Sequence, residues 1–255
     1  MPDSPQESRA PFPGRSGAES KDLLFDFVCG ERVGDHSANP DSAISISAFV
    51  LAGGQSRRMG QDKALLPLAG QPLIAHALST LREAGLSPLI AGANSDLSGF
   101  APVISDPAPG LGPLSGICAA LESTSARYSV FLPVDLPLIP SSLVTYLLYH
   151  AQITSSAVTL PSICGVANTF PAILDRSAFP ALKSELTAGR RGCLAAFHAA
   201  ARTLSQSISV IPVEFLAQSG HATHPCGLPA AFWFLNVNTP PDLARVARHL
   251  TPQIA

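Results

Sequence analysis

The chain has 255 residues, 46% of them apolar and 13% charged, with a formal net charge of −2. That length is enough to bury a substantial core, and the slight acidity excludes a role built on neutralising a nucleic-acid backbone or an anionic membrane surface. No apolar run approaches the ~18–20 residues that cross a bilayer, and no basic-then-apolar leader opens the chain. Five cysteines (Cys29, Cys118, Cys164, Cys193, Cys226) without a CxxC pair speak for a reducing cytoplasm rather than a disulfide framework.

Residues 1–45 hold eight acidic and four basic side chains, a charge of −4 that leaves the remainder at +2. Rich in Pro, Ser and Gly and without a sustained apolar period, this arm reads as a disordered extension. Leu23 to Val28 is its one sticky patch, which reads as docking loosely on the body or as part of a mistranslated upstream start rather than as carrying chemistry. From there the pattern alternates. Ile46 to Leu51 is an apolar run that ends in Gly53-Gly54, a buried strand feeding a glycine loop. Pro72 to Ala84 places Leu73, Ile74, Ala77, Leu78 and Leu81 on one helical stripe, with Gly85 where a C-terminal cap belongs. Strands are expected at Pro88–Ala91 and Ser129–Leu132, with a helix over Leu114–Glu122 between them. Ser141 is the expected cap of a helix running to Tyr149. Further strands are expected at Ala157–Leu160, Pro171–Leu174 and Ser209–Val213, with helices at Ala178–Leu186 and Cys193–Ala200. A last strand is expected at Phe232–Val237, followed by a helix opened by Thr239 as cap, prolines in the first turn and Asp242 on the positive dipole end. Strands alternating with helices predict one α/β domain over 46–255: a Rossmann-like, mainly parallel sheet covered on both faces, with ligands at the carboxyl ends of its strands.

The densest chemistry lies in Leu51-Ala52-Gly53-Gly54-Gln55-Ser56-Arg57-Arg58-Met59-Gly60-Gln61-Asp62-Lys63. Glycines behind a first strand let backbone N–H groups approach a phosphate or base edge that a Cβ would block. Arg57 adds a planar fork of positive charge and Lys63 a point charge. The loop is neither G-x-x-x-x-G-K-[ST], since Ala64 follows Lys63, nor G-x-G-x-x-G, so a dinucleotide cofactor is disfavoured. His221-x-x-His224-x-Cys226 offers three soft ligands without a fourth at a structural spacing, a poor zinc site. Trp233 reads as core, and Cys118 and Cys193 as buried small hydrophobes.

The loop resembles the L-A-G-G-x-S-x-R-M-G-x-D-K signature of the nucleotidyltransferases that act on the molybdenum cofactor. Its Gly53-Gly54 pair is similar to the guanylyltransferase version; cytidylyltransferase relatives usually carry Ala for the first glycine. The resemblance runs from Ile46 to the C-terminus and implies the nucleotide-diphospho-sugar transferase fold. It implies that Leu51, Ala52, Gly53, Gly54, Lys63, Asn94 in Ala91-Gly92-Ala93-Asn94, and Asp106 before Gly110-Leu111-Gly112-Pro113-Leu114 bind the nucleotide. Asp135 in Val134-Asp135-Leu136-Pro137 would also touch the nucleotide and bind Mg²⁺. Arg190 and Arg191 in Leu186-Thr187-Ala188-Gly189-Arg190-Arg191, and Asn236 and Asn238 in Asn236-Val237-Asn238-Thr239-Pro240, would serve the acceptor.

The implied reaction is displacement at the α-phosphorus of GTP by the terminal phosphate of molybdopterin. Such an attacking phosphate is already ionised, so no general base is required. The barrier is electrostatic, and the implied catalytic groups are Lys63 at the α-phosphoryl oxygens, Arg57 at the leaving pyrophosphate and Asp135 at the metal. The implied protein partner is a molybdoenzyme or a cofactor-biosynthesis protein, with no nucleic acid and no membrane. The alternatives are a molybdopterin cytidylyltransferase, another nucleotidyltransferase with a phosphorylated acceptor, and a non-catalytic nucleotide-binding or cofactor-chaperone protein. Two departures from the family fall on the acceptor side: Phe170-Pro171 stands where the family commonly has His-Pro, and Gln206–Pro229 is long and rich in Gly, Pro and His.

Overall fold

The computed structural model describes residues 44–53, 62–92, 95–106 and 110–250. The strands are β1 (Ile46–Leu51), β2 (Pro67–Leu68), β3 (Gln71–Pro72), β4 (Pro88–Gly92), β5 (Val103–Ser105), β6 (Tyr128–Pro133), β7 (Val158–Ile163), β8 (Val166–Ala167), β9 (Ala172–Asp175) and β10 (Ser209–Pro212). The helices are α1 (Leu73–Glu83), α2 (Pro113–Glu122), α3 (Ser141–Thr154), α4 (Phe179–Thr187), α5 (Cys193–Thr203), α6 (Val213–Gln218), α7 (Ala230–Trp233) and α8 (Pro240–Leu250). None of these helices is long and apolar enough to cross a membrane.

The main sheet runs β10-β7-β9-β6-β1-β4-β5, with β8 on β7. Neighbours β6, β1, β4 and β5 are parallel, as are β10 and β7, while β9 runs antiparallel to both β6 and β7. The expected mainly parallel sheet is therefore present, with β9 and the short β8, antiparallel to β7, as its reversed strands. From β1 the chain goes outward to β4 and β5, then crosses to β6 on the other side. This reversal places the ends of β1 and β6 side by side, with Leu51 opposite Pro133. In an open α/β sheet such a switch point leaves a crevice at the carboxyl ends of the strands.

Both faces of the sheet are buried, which explains why its strands read as continuous apolar runs. Ala48, Val50, Val130 and Leu132 belong to the core shared with α1, α3 and Trp233 of α7. Phe49, Leu51 and Phe131 belong to the opposite core, with α2, α4 and α5. Phe49 and Phe131 stack at 5.3 Å between ring centroids. Helix α1 ends as its sequence predicts: Gly85 has φ +77°, its amide donates to Arg82 O at 2.9 Å, and that of Leu86 donates to Leu81 O at 3.0 Å.

Several expectations need correction. Phe232–Val237 is not a strand: Ala230–Trp233 is a helical turn, and the buried positions Ala230, Trp233 and Val237 recur every three or four residues rather than every second one. Trp233 Nε1 donates to Leu228 O at 2.8 Å, which fixes the turn. Ser141 does not cap α3: Pro140 takes that position, the Ser141 carbonyl accepts from Thr145 Oγ1, and the helix continues to Thr154. Ser209–Val213 splits, because Val213 opens α6, a helix that the Gly/Pro-rich composition of 206–229 hid.

Candidate active site

The cleft at the switch point encloses about 790 Å³ and is lined on one side by Leu51, Ala52, Gly53, Asp62, Lys63 and Asp135. Backbone bonds hold its rim: Ala52 N donates to Ala91 O at 3.0 Å, and Val134 N to Leu51 O at 3.1 Å. Gly92 permits this arrangement, because a Cβ there would lie 2.5 Å from the Ala52 carbonyl oxygen. At Gly53 the opposite holds. Gly53 lines the cleft, and no described atom outside its chain neighbours lies within 4 Å of where its Cβ would be.

Lys63 begins a 3-10 turn, Lys63–Leu65, whose start is fixed by the Asp62 carboxylate accepting from Ala64 N at 2.9 Å. Ala64 is buried and ties the turn to the core. Lys63 lines the cleft, and its Nζ donates to Asp135 Oδ2 at 3.0 Å and to Asn238 Oδ1 at 2.7 Å. The Lys63 and Asp135 side chains are 14% and 27% exposed. In a part-buried ion pair the cost of desolvation offsets much of the attraction, so its convergence at a cleft is weak evidence of a stabilising role. Asp135 leaves the end of β6 just beyond Pro133, and its carbonyl accepts from Val237 N at 2.9 Å. The same junction thus positions Asn236, which lines the cleft, and Asn238. Asn238 is held in turn by Asp242, whose Oδ2 accepts from Asn238 N at 3.1 Å, Thr239 N at 2.8 Å and Thr239 Oγ1 at 2.8 Å. The Thr239 hydroxyl and the Asn238 amide keep the Asp242 carboxyl below the usual carboxylate range.

The opposite wall consists of Asn168, Thr169 and Phe170, together with Arg191, Gly192 and the first turn of α5. The N-terminal end of α5 brings the positive end of its helix dipole to that wall. Arg190 and Arg191, adjacent in sequence, part company here. Helix α4 closes on Gly189 (φ +75°), and Arg190 N bonds back to Glu185 O at 3.0 Å. That turn lays the Arg190 guanidinium on the Glu185 carboxylate, at 2.5 and 2.7 Å, and leaves Arg191 on the cleft. Cys193 also lines this wall, but burial pushes its thiol up to about 12, and that of Cys118 to about 11, so neither is a nucleophile near neutral pH.

The structure therefore brings Leu51, Ala52, Gly53, Lys63, Asp135, Arg191 and Asn236 to one cleft, with Asn238 bonded to Lys63. Asp106 lies beyond it, at the end of β5, accepting from Ser115 Oγ at 2.6 Å. Gly54, Arg57 and Asn94 lie outside the described residues, as does the whole 1–43 arm. His221 and His224 make local bonds to the Ser219 hydroxyl and to Cys226 N. Sequence reasoning missed Asp62, Asn168 and Thr169 on the cleft, and missed Gly92, whose place at a strand end beside the glycine loop was the available signal.

Among known families, the MobA-like NTP transferase domain matches residues 48–209. A probable molybdenum cofactor guanylyltransferase from Carboxydothermus hydrogenoformans is 31% identical over 206 residues, covering 80% of this chain and 96% of that protein. A molybdenum cofactor guanylyltransferase from Xanthomonas euvesicatoria is 42% identical over 108 residues, 42% of this chain and 55% of that protein. Among solved structures, molybdopterin-guanine dinucleotide biosynthesis protein A from Archaeoglobus fulgidus has a similar fold, with a TM-score of 0.63 at 22% identity over 79% of this chain and 97% of that one.

Proposed function

Because the chain belongs to the MobA-like NTP transferase family, we propose that it is an enzyme transferring GMP from GTP to the terminal phosphate of molybdopterin. In this reaction a phosphate oxygen of molybdopterin forms a bond to the α-phosphorus, and the bond from that phosphorus to the β-phosphate oxygen breaks. The products are pyrophosphate and a guanine dinucleotide form of the cofactor. The observation that carries the reading is the convergence of Lys63 and Asp135 at the switch-point cleft, with Asn238, from a third distant segment, bonded to Lys63.

The role of each group follows from its chemistry. In this reading the Lys63 ammonium stabilises charge that builds on the α-phosphoryl oxygens, a preorganised electrostatic contribution. Arg57, four residues beyond Gly53, serves the leaving pyrophosphate. In this reading the amides at Gly53, which lines the cleft, and Gly54 approach the guanine and phosphates. Asn94 and Asp106 belong to the nucleotide side in this reading, and Arg191 and Asn236 to the acceptor side. Arg190, engaged with Glu185, has at most an indirect part.

A divalent ion, Mg²⁺ in this reading, fits the donor set. Asp135 and Asn238 offer hard oxygens that already surround a cation, the Lys63 ammonium. Substrate phosphates would complete the coordination of such an ion. Asp135 would hold it, and when bound it would neutralise phosphate charge. Free thiols at the exposed Cys164 and Cys226 suit a cytoplasmic enzyme, handing its product to a molybdoenzyme or a cofactor-biosynthesis protein.

The test is pyrophosphate release by purified protein with Mg²⁺, molybdopterin and either GTP or CTP. Release with GTP and little with CTP is expected. Preference for CTP, or GTP binding without pyrophosphate release, overturns the reading.

A further inference from the structure

We infer that Asp242 is a positioning residue for the transfer reaction, acting through Asn238 on Lys63. The inference rests on the proposed transferase activity and deepens it. Four residues separate Asn238 from Asp242, and between them stand Thr239 and the prolines that open α8. One carboxylate oxygen of Asp242 accepts three hydrogen bonds, from Asn238 N, Thr239 N and the Thr239 hydroxyl, while Asp242 N lies 3.4 Å from the same hydroxyl. This is a reciprocal helix cap extended by one residue. An ordinary cap serves the helix behind it. Here the extra bond reaches back to the residue whose side chain touches the catalytic lysine.

The turn is anchored at both ends. Val237 is buried, and its amide is tied to the Asp135 carbonyl at 2.9 Å. Asn238 itself is exposed, so packing does not fix it. Its backbone is fixed on the far side by Asp242, and its Oδ1 then meets Lys63 Nζ at 2.7 Å. Lys63 carries a long stem with many rotamers, and its Nζ position is set by the two acceptors, Asp135 and Asn238. Releasing Asn238 leaves the ammonium with one of them. Misplacement by about 1 Å of a group that stabilises a transition state costs on the order of a hundredfold in rate. Asp242 therefore bears on kcat although it does not line the cleft.

The test is steady-state kinetics of pyrophosphate release on full-length Asp242→Ala, Asn238→Ala, the double variant and Asp242→Asn, with thermal melting of each. The expected result is a roughly ten- to hundredfold drop in kcat for Asp242→Ala with KM for GTP changed less than about threefold. The double variant should be no slower than Asn238→Ala alone, since the two act in series. Asp242→Asn keeps an oxygen to accept the two amides and should recover most of kcat. Asp175→Ala removes a comparable cap, at the Arg176–Ala178 turn away from the cleft, and should lower the melting temperature without changing kcat. Should Asp242→Ala not fold, Thr239→Val removes one donor and gives a smaller kcat loss that vanishes in the Asn238→Ala background. Independent, multiplicative losses in the Asp242/Asn238 pair, or a kcat loss no larger than that of Asp175→Ala, overturn the inference. Wild-type protein that releases no pyrophosphate overturns the transferase reading instead.

Discussion

The two walls of the cleft are built differently. On the β1–β6 side, charged groups are bound to one another before any substrate arrives: Lys63 to Asp135 and Asn238, Asn238 to Asp242, Asp135 to Val237 through its carbonyl. On the β9–α5 side, Arg191 stands beside a helix N-terminus and the Asn168–Phe170 loop, while its neighbour Arg190 is spent on Glu185. Preorganised charge lowers a barrier because nothing has to reorganise as the transition state forms. A wall of backbone dipole and one guanidinium holds an anion with less geometric constraint. The first wall is therefore expected to govern kcat, and the second the KM of the acceptor.

Substitutions can break or sharpen this contrast. Lys63→Ala and Asp135→Ala are expected to lower kcat by ~10²–10³, as loss of one preorganised charged donor commonly does; purified folded variants keeping more than a tenth of wild-type turnover would contradict the assignment of the first wall. Gly92→Ala should destabilise the protein by about 1–3 kcal/mol, because its Cβ meets a backbone oxygen that cannot move aside. Denaturant midpoints check this, and an unchanged midpoint would show that the rim is looser than the structure has it. Arg191→Ala is expected to raise the molybdopterin KM about tenfold with kcat near wild type, the scale of one charge-assisted hydrogen bond. Arg190→Ala, by contrast, should leave both parameters within about twofold, consistent with an exposed ion pair. Equal effects of the two arginines would erase the distinction drawn from the Gly189 turn. The smallest effect concerns thiols. At pH 8 Cys164 and Cys226 should alkylate readily, whereas Cys193, neutral below about 12 through burial, and Cys118, neutral below about 11, should react only on unfolding.

The sequence was most informative where one local force decides the outcome. The apolar run Ile46–Leu51 and the Gly85 stop of α1 were legible because burial on two faces and a left-handed cap leave few alternatives. Lys63 and Asp135 were legible as candidates from their positions behind predicted strands and from the family signature. Their direct contact was not, since it joins residues 72 apart through the β1–β6 pairing, and the Lys63–Asn238 bond beside it spans 175. The reversed strand β9 was hidden for the same reason, because strand direction is a property of connections rather than of composition. The expected strand Phe232–Val237 illustrates the opposite error: a short, largely apolar stretch suits a strand or a helical turn equally, and tertiary burial at three- and four-residue spacing decided for the turn, with Trp233 in the core as its sequence suggested. Arg190 and Arg191 could not be separated by sequence, because a single glycine-closed turn sends their side chains to different partners.

The central claim is that Lys63 and Asp135 mark the place where the phosphates of a guanine nucleotide are held for attack. A crystal structure of the protein with GTP and Mg²⁺ tests it most directly. The account predicts the α-phosphate within hydrogen-bonding distance of Lys63 Nζ, the ion on the Asp135 carboxylate and the base beside Gly53. Nucleotide bound elsewhere, or an α-phosphate turned away from Lys63 with Asp135 unengaged, would contradict it.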